Sequence, residues 1–354
     1  MKVGIVTDAW RPQTNGVVTT LARTAEGLVE LGHTVTLMTP EGLPTIPCPT
    51  YPEIRLALFQ GRRVAAWLEG ERPDTLHIAT EGPLGLAARN AAVRLRLRFT
   101  TSYHTQFPRY LRARYPLPEC CTYALLRAFH GRAARTMVGT RQVRRDLRRH
   151  GFRHLVQWGR GVDTQLFRPR PDVRLPYPRP ILIYVGRVAV EKSVEDFCRV
   201  TVPGTKLVVG DGPALAALQK RYPEVVFAGF KFGEELGALL AGSDCFVFPS
   251  RTDTFGLVML EAMASGLPVA AYPVTGPIDV VREGESGSLS EDLVVAIKAA
   301  LTLDRGRCRA QALEYRWENA TRQFLGHLVD ARGAGAATVA PRGRLTTVLE
   351  RLLP

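Results

Sequence analysis

The stretch FVFPSRTDTFGLVMLEAMASGLPVAA, Phe246 to Ala271, decides the fold of the second half of this chain. It overlaps an apolar run, Cys245–Phe248, that predicts a buried strand, which Pro249 ends. A polar loop and an apolar helical segment follow, and a second apolar run, Val269–Tyr272, predicts the next strand. Strand, loop, helix and strand in this order form a βαβ unit, the building block of a parallel sheet.

Two carboxylates are conspicuous in this unit because its helix is otherwise apolar. Between Thr254 and Ile278 the one formally charged side chain is Glu261, and Asp253 lies eight residues before it in the loop. A carboxylate on an apolar helix needs hydrogen-bond donors, and a helix N-terminus offers free N–H groups to a phosphate. A phosphorylated sugar would satisfy both requirements. In the alternative interpretation, Asp253 caps the turn and Glu261 interacts with the helix dipole.

The composition is that of a globular protein with about two domains. The chain has 354 residues, of which 45% are hydrophobic and 23% charged, and domains average ~150 residues. No apolar run approaches the ~20 residues that span a bilayer, and the opening MKVGIVTDAW predicts a strand rather than a signal peptide. The six cysteines show neither a C-x-x-C pair nor metal-ligand spacing, which favours a reduced, cytosolic protein.

The net charge of +14 is concentrated in one part of the chain. From Arg89 to Arg160 there are seventeen Arg, no Lys and two acidic residues, Glu119 and Asp146. A basic zone in one domain predicts an anionic partner: lipid headgroups, nucleic acid or a phosphorylated substrate. A general preference for Arg is the alternative, since the chain has 41 Arg against 6 Lys, but it does not explain the clustering.

The N-terminal segment predicts a first βα array. It opens with strand Lys2–Thr7, helix Val17–Leu31 and strand His33–Thr39. No G-x-G-x-x-G fingerprint is present, so Gly16 indicates no NAD site; it either lets a backbone approach a ligand or is a plain turn glycine. His104 follows a strand at its carboxyl end, where open α/β sheets bind ligands.

Aromatic and basic residues alternate after His104. The segment Thr105–Tyr115 contains Arg109, Arg112 and Arg114, a mixture typical of a membrane interface or an acceptor-binding lip.

A second array of strands and helices follows a Gly- and Pro-rich linker, Trp158–Pro171. Its strands fall within residues 181–272, and Arg305–Val329 is predicted as a final helix. We therefore expect domains at residues 1–160 and 161–310, a C-terminal helix at 311–330 and a flexible tail at 331–354.

A succession of short motifs resembles the donor half of retaining GT-B glycosyltransferases of family 4. In order, they are GVDTQLF (161–167), YVGRVAVEK (184–192), VGDGP (209–213), FAGF (227–230) and the acid-x7-acid element at 253 and 261. The family form has Glu at the first acidic position, where this chain has Asp253. The N-terminal TDAWRPQTNGVV and YHTQFPRYLRARYP also resemble one branch of the family, which includes bacterial enzymes acting on lipid acceptors and GDP-mannose-dependent mannosyltransferases. The resemblance extends to about Ala331.

This resemblance implies an α/β GT-B fold, in which two Rossmann-like domains face a cleft and the C-terminal helix packs back on the N-terminal domain. It implies a retaining hexosyltransferase that uses a UDP- or GDP-linked sugar, with same-face attack and no protein nucleophile. The implied donor-binding residues are Gly16, Arg187, Lys192, Phe230, Lys231, Asp253, Phe255, Gly256 and Glu261.

The resemblance also implies individual roles at the reaction centre. The implied catalytic residues are His104, near the reacting carbon, and Asp253, Arg187 and Lys192. Arg187 and Lys192 would neutralise the donor diphosphate in place of a metal, so neither a metal nor another cofactor is expected. Asp253 would accept from sugar hydroxyls and Glu261 from ribose hydroxyls. On the acceptor and membrane side, Asp8, Arg109, Arg112 and Arg114 are the candidates.

Four functional hypotheses follow. The first is a cytoplasmic enzyme, peripheral on the inner face of the membrane, which the basic domain holds by electrostatics while it glycosylates a lipid such as diacylglycerol or a phospholipid. The second keeps the chemistry but uses a soluble or polysaccharide acceptor. The third is a basic nucleic-acid-binding protein, although no nucleic-acid fold signature occurs and no such partner is expected. The fourth is a non-catalytic relative marked by Asp253. The sequence leaves UDP or GDP, and the sugar, open.

Overall fold

The structure, a computed structural model, describes residues 1–13, 15–48, 51–114 and 118–333. These residues form two α/β halves, each built on a six-stranded sheet. The first half comprises β1 (Lys2–Val6), α1 (Gly16–Glu30), β2 (Thr34–Met38), β3 (Ile46–Cys48), β4 (Tyr51–Leu56), α2 (Gly61–Glu71), β5 (Thr75–Ile78), α3 (Pro83–Arg94), β6 (Thr100–Tyr103), α4 (Phe107–Arg114), α5 (Glu119–His130), β7 (Arg135–Val138), α6 (Arg141–Arg149) and β8 (Leu155–Gln157). The second half comprises β9 (Ile181–Val185), α7 (Val194–Cys198), β10 (Thr205–Val209), α8 (Leu215–Arg221), β11 (Val226–Gly229), α9 (Gly233–Gly242), β12 (Cys245–Phe248), α10 (Leu257–Ala264), β13 (Val269–Ala271), α11 (Pro277–Val280), β14 (Gly287–Leu289), α12 (Leu293–Ala300) and α13 (Arg305–Ala312), and is followed by the last helix, α14 (Trp317–His327).

The first sheet has the strand order β2-β1-β5-β6-β7-β8, with every neighbouring pair parallel. All residues of β5 and β6 are buried, as expected for parallel strands that helices cover on both faces. Because the strands run in one direction, the loops after β1 and β6 meet at the same edge of the sheet. These loops carry Asp8 and His104.

The second sheet has the order β11-β10-β9-β12-β13-β14 and is also parallel. The predicted βαβ unit is confirmed as β12, α10 and β13, with Phe246 opposite Val269. The strands predicted within residues 181–272 are present as β9 to β13, whereas β14 was not predicted. Its three residues, Gly-Ser-Leu, lack the apolar run that identified the others.

The last helix returns to the first half of the molecule. Phe324 of α14 is fully buried, and its ring centroid lies 4.9 Å from that of Trp158. Trp158 Nε1 donates to the carbonyl of Ala320 in the same helix (3.1 Å). The prediction that the C-terminal helix packs back on the N-terminal domain is therefore confirmed. The expected domain boundary at residues 160 and 161 falls in the segment between β8 and β9.

The predicted single helix Arg305–Val329 is wrong, because the chain breaks it at residues 313–316. Here the Tyr315 carbonyl accepts from the backbone N–H of Val162 (3.0 Å), and Glu314 forms an ion pair with Arg282 (2.6 Å). The break is needed because α13 packs on α10 in the second half, whereas α14 packs on α1 in the first. The C-terminal helix is correspondingly shorter than the predicted 311–330.

Two predicted features are only partly covered by the structure. Of the predicted tail at 331–354, residues 334–354 lie outside the described residues, as does Tyr115 of the predicted aromatic and basic segment. Within the described residues, no helix combines the length and the apolar character needed to cross a bilayer.

Candidate active site

The loop between β12 and α10 contains a glycine, Gly256, at a position where a side chain would not fit. Gly256 has a φ of +82°, and a Cβ there would lie 2.7 Å from Met259 Cε and 3.1 Å from Phe248 Cζ. Thr252 Oγ1 donates to the carbonyl of Glu191 (3.0 Å), which ties the loop to a short 3₁₀ turn at residues 190–192. The loop therefore holds Asp253 at the carboxyl edge of the second sheet, where such sheets bind ligands.

Lys192 and Asp253 form an ion pair at this edge. The Lys192 ammonium lies 2.7 Å from Oδ1 and 2.8 Å from Oδ2 of Asp253, and each side chain is 19% exposed. Two residues predicted from separate motifs, 61 positions apart, thus meet in the fold. Because the pair stays partly open to solvent, an anionic ligand can replace Asp253 as the partner of the Lys192 ammonium. The Asp253 carboxylate is then available to accept from hydroxyl groups.

Two glycine loops interlock beside this pair and position Arg187. Gly186 and Gly210 have φ values of +151° and +143°, and a Cβ on Gly210 would lie 1.9 Å from the Gly186 carbonyl oxygen. The Val188 N–H donates to the carbonyl of Asp211 (2.9 Å), which joins the YVGR and VGDGP motifs. The contact between these loops therefore requires glycine at position 210 and sets the half-buried Arg187 next to the turn that carries Lys192.

The Glu261 carboxyl of α10 has a pKa close to neutral pH. Burial raises the pKa of this half-buried carboxyl to about 7. Near pH 7 the free protein therefore holds Glu261 in both protonation states. A ligand hydroxyl that donates to Glu261 would favour the carboxylate.

Contacts between the halves surround the Asp253 loop. Gln106 Nε2 donates to the carbonyl of Asp253 (2.9 Å), and Thr254 Oγ1 donates to the carbonyl of His104 (2.7 Å). Gly16 faces the start of α10, where a Cβ on it would lie 3.4 Å from a leucine methyl carbon. The structure thus brings His104 and Gly16 of the first half to the predicted donor loop of the second.

The His104 ring lies against a buried arginine. Arg160 Nη2 is 3.1 Å from His104 Nδ1, and among the described residues His104 Nε2 has no hydrogen-bond partner. Burial and the nearby Arg160 charge lower the pKa of His104 well below its usual value. The Phe255 ring centroid lies 6.0 Å from the Arg160 guanidinium, so this predicted donor residue belongs to the same cluster.

Asp8 is engaged at a helix terminus rather than with the groups above. Its carboxylate accepts from the N–H groups of Leu84 (2.8 Å) and Gly85 (3.1 Å) and from the Thr80 hydroxyl (2.8 Å), at the start of α3. Burial raises the pKa of Asp8, and these bonds oppose that effect. The geometry is that of a helix cap, and a role for Asp8 toward an acceptor stays a prediction.

The predicted arginines of the aromatic and basic segment lie on α4. Arg109 is half-buried, and the exposed Arg112 forms an ion pair with Glu119 (3.2 Å). Arg114 is the last residue of the helix. The role of these arginines on the acceptor side stays a prediction.

Phe230 and Lys231 follow β11, the outer strand of the second sheet. Phe230 is 51% exposed, and Lys231 lies 3.5 Å from the carboxylate of Glu235. They lie at the carboxyl end of a parallel strand, as do the loops that carry Arg187 and Asp253.

Comparisons with known proteins identify the family of this chain. Two family models match it, Glycosyltransferase Family 4 over residues 14–166 and Glycosyl transferases group 1 over residues 179–303. A GDP-mannose-dependent alpha-mannosyltransferase of Mycobacterium tuberculosis (strain CDC 1551 / Oshkosh) is 30% identical over 369 residues, which cover 94% of this chain and 97% of that protein. The chain belongs to glycosyltransferase family 4.

A second sequence relative and a solved structure also resemble this family-4 glycosyltransferase. Sulfoquinovosyl transferase SQD2 of Arabidopsis thaliana is 32% identical over 339 residues, 83% of this chain and 66% of that protein. The solved sucrose-phosphate synthase of Thermosynechococcus elongatus has a TM-score of 0.76 at 20% identity and covers 92% of this chain and 97% of its own. Together with the two parallel-sheet halves, this structural likeness confirms the predicted GT-B fold. The prediction of a hexosyltransferase enzyme is also confirmed.

Three residues of the glycosyltransferase cleft were not predicted from sequence: Gln106, Arg160 and Thr254. Arg160 is one of seventeen arginines in the basic zone and lies in the predicted linker, so nothing local marked it. Gln106 and Thr254 each lie within two residues of a predicted site residue, His104 or Asp253. That proximity was the available signal.

Within the part of the chain that the structure describes, no group of three or more His, Cys, Asp or Glu side chains is arranged to hold a metal ion. Metal-independent catalysis by this glycosyltransferase stays a prediction.

Proposed function

We propose that this family-4 glycosyltransferase transfers a hexose, with retention, from a nucleotide sugar to a membrane lipid acceptor. The observation that carries the proposal is the Lys192–Asp253 pair, which supplies one cation and one carboxylate at the sheet edge that faces His104. GDP-mannose is the first donor to test, because the M. tuberculosis relative that matches 94% of the chain is GDP-mannose-dependent. A UDP-sugar is the alternative donor.

The donor diphosphate would displace Asp253 from Lys192. Lys192 and Arg187 would then stabilise the charge of the departing nucleotide without a metal. Asp253, released from the ammonium, would accept hydrogen bonds from donor-sugar hydroxyls, assisted by backbone N–H groups near Phe255 and Gly256.

The nucleoside would lie along α10 and the loop after β11. Glu261 would accept from ribose hydroxyls, and Phe230 and Lys231 would flank the base. The acceptor hydroxyl would attack the anomeric carbon on the face from which the phosphate leaves. The leaving phosphate would take the acceptor proton, so the step balances without a protein nucleophile.

The membrane assignment is supported by the distribution of exposed charge in the first half. Helix α6 carries five arginines in nine residues, of which Arg141, Arg145, Arg148 and Arg149 are exposed. Each basic residue near an anionic surface contributes about 1 kcal/mol to membrane binding. The enzyme would therefore act peripherally on the inner face of the membrane, on a lipid such as diacylglycerol or a phospholipid.

The test combines binding and turnover on defined vesicles. The protein is incubated with GDP-mannose or UDP-glucose and with vesicles of phosphatidylglycerol and diacylglycerol, and mass spectrometry follows the glycosylated lipid. We expect lipid product, unchanged by EDTA, with the anomeric configuration of the donor, and vesicle binding that 1 M salt abolishes because screening shortens the reach of surface charges.

A matched pair of charge reversals controls this test. Arg145→Glu with Arg148→Glu is expected to weaken vesicle binding, whereas Arg168→Glu with Arg174→Glu, at exposed positions of the second half, is expected to leave it unchanged. Transfer to a soluble saccharide with no vesicle binding would overturn the lipid assignment and keep the glycosyltransferase chemistry. Tight binding to duplex DNA at physiological salt would instead support the nucleic-acid hypothesis.

A further inference from the structure

The environment of His104 determines which ring nitrogen can carry a proton. Arg160 Nη2 lies 3.1 Å from His104 Nδ1. A guanidinium has only donors, so Nδ1 must be the acceptor and cannot carry a proton while this bond exists. In a neutral ring the proton is therefore on Nε2.

Arg160 is itself held in place by the chain around it. Its Nη1 donates to the carbonyls of Trp158 (2.8 Å) and Gly159 (2.9 Å), and the guanidinium lies 4.4 Å from the centroid of the Trp158 ring. Burial lowers the pKa of Arg160 to about 9, so at pH 7 it remains a cation and a donor. The orientation of the His104 ring is thus imposed by a rigid neighbour.

The other nitrogen of His104 is a buried donor that lacks a partner. Among the described residues nothing bonds to Nε2, although His104 is only 9% exposed. A buried N–H without an acceptor is destabilising, which indicates that the acceptor comes from a ligand. The His104 carbonyl bonds to Thr254, the neighbour of Asp253, so that ligand would be held at the donor loop.

We propose that Arg160 is a positioning residue that keeps His104 neutral with its proton on Nε2, so that His104 donates one hydrogen bond to an oxygen of the bound sugar and does not act as a base. The inference rests on the proposed function, in that the cleft holds a sugar. Arg160 thus orients a histidine, as a carboxylate often does, but selects a different tautomer. A carboxylate accepts from Nδ1 and so favours a proton on Nδ1, whereas this guanidinium donates to Nδ1 and so favours a proton on Nε2.

The charged and titratable groups around the ring favour the same state. Besides Arg160, the groups that act on His104 are His77 of β5 and His130 of α5, and His130 lies 3.1 Å from Glu81. Burial is the largest factor opposing protonation, followed by the Arg160 charge and then by the two histidines. Protonation would also place an Nδ1–H against the guanidinium. His104 is therefore expected to stay neutral from pH 5 to pH 8.

Nitrogen NMR of the whole protein tests this state directly. The chain has seven histidines, and the spectrum of the His104→Gln variant identifies the His104 signals by their loss. We expect a protonated Nε2 and an unprotonated Nδ1, without change between pH 5 and pH 8. A protonated Nδ1, or a ring that titrates near pH 6.5 in the wild type, would overturn the proposal whether or not the protein transfers sugar.

Variants of Arg160 test the cause. Arg160→Met removes the donor and the charge at similar volume. Because burial still opposes protonation of the ring, we expect a neutral His104 that populates both tautomers, and a lower kcat. Arg160→Lys keeps a cationic donor and is expected to restore the wild-type tautomer and to raise kcat toward the wild-type value. If the tautomer in Arg160→Met matches the wild type, Arg160 is not the positioning residue.

A matched pair at position 104 tests the donor role. The Gln side-chain amide can place an N–H near the Nε2 position, whereas Asn reaches only the Nδ1 position. We expect transfer by His104→Gln to exceed transfer by His104→Asn about tenfold, the effect of one hydrogen bond on a rate. Equal rates, or the reverse order, would contradict the donor role. If the wild type transfers no sugar but shows the fixed tautomer, the proposed function fails while the assignment of Arg160 stands.

Discussion

At the scale of single residues, the cleft compensates its charges internally until a ligand arrives. Lys192 and Asp253 neutralise one another, and Glu261 avoids an isolated charge by holding a proton up to about pH 7. A nucleotide sugar can replace both compensations, because its phosphates attract the ammonium and its hydroxyls donate to the carboxylates. The residues that would bind the donor are therefore also the residues whose state should change on binding.

The ion pair leads to a prediction for Asp253→Asn. The substitution removes the partner that competes with diphosphate for Lys192, so the affinity for GDP should stay the same or rise. Transfer should fall on the order of 100-fold, because charged hydrogen bonds to the sugar are lost. Calorimetry with GDP and a transfer assay measure the two effects, with Asp172→Asn at an exposed position as the control. Loss of GDP binding in a folded Asp253→Asn protein would show that Asp253 does not compete for Lys192.

Glu261 leads to a prediction about stability. Its folded-state pKa of about 7 lies above the ordinary value of 4.5, so the folded protein binds this proton more tightly than the unfolded chain. The free energy of unfolding should therefore decrease as pH rises from about 4.5 to about 7. Glu261→Gln removes this loss and should be more stable than the wild type at pH 8, by at most on the order of 3 kcal/mol, but not at pH 4.5.

Urea unfolding at the two pH values measures this difference, with Glu30→Gln as an exposed control. Equal stability of wild type and Glu261→Gln at pH 8 would contradict the raised pKa.

The same carboxyl predicts that nucleotide affinity increases with pH up to about 7 and then levels off, since ribose hydroxyls favour the carboxylate. Glu261→Gln should remove that pH dependence and weaken binding.

At the scale of elements, the start of α10 depends on one glycine. Gly256→Ala introduces a Cβ at a φ of +82° and 2.7 Å from Met259 Cε, so it should destabilise the protein by about 1–3 kcal/mol. Gly70→Ala in α2 meets no atom within 4 Å and should be neutral or stabilising by about 0.5 kcal/mol. Thermal unfolding of both variants makes the comparison, and an equal loss in the two would show that the left-handed conformation is not required.

Elements with strong local patterns were predictable from the sequence, and elements set by distant contacts were not. The quoted stretch predicted β12, α10 and β13 because two apolar runs flank a loop. The break before α14 was missed because it depends on contacts that residues 313–316 make with Val162 and Arg282, which lie far away in sequence. Arg160 was missed for the same reason: its partner His104 is 56 positions away. Trp158 looked like part of a linker, although its ring is buried against α14.

At the scale of the whole molecule, the last helix crosses from the second half of the chain back to the core of the first half. α14 belongs to the core of the first half, while the preceding α13 belongs to the second, so the chain between them is a second connection beside residues 158–180.

Phe324→Ala tests that division. Removal of a fully buried ring should destabilise the first half by about 3–5 kcal/mol and speed hydrogen exchange in β1 and β5 more than in β9 and β12. Val29→Ala on α1, where the side chain is 59% exposed, is the control and should change little. Uniformly faster exchange in both halves would contradict the assignment of α14 to the first half alone.

The most direct test of the central claim is the thermal stability of the protein in the presence of GDP, UDP, ADP and their common sugar conjugates. A ligand at ~100 times its dissociation constant adds about 2.7 kcal/mol to the free energy of unfolding. We predict that one diphosphate and its sugar conjugate stabilise the wild type, and that Arg187→Ala and Lys192→Ala remove the effect. If no nucleotide stabilises the protein, or if both variants respond like the wild type, the cleft between Lys192, Asp253 and His104 is not a donor site.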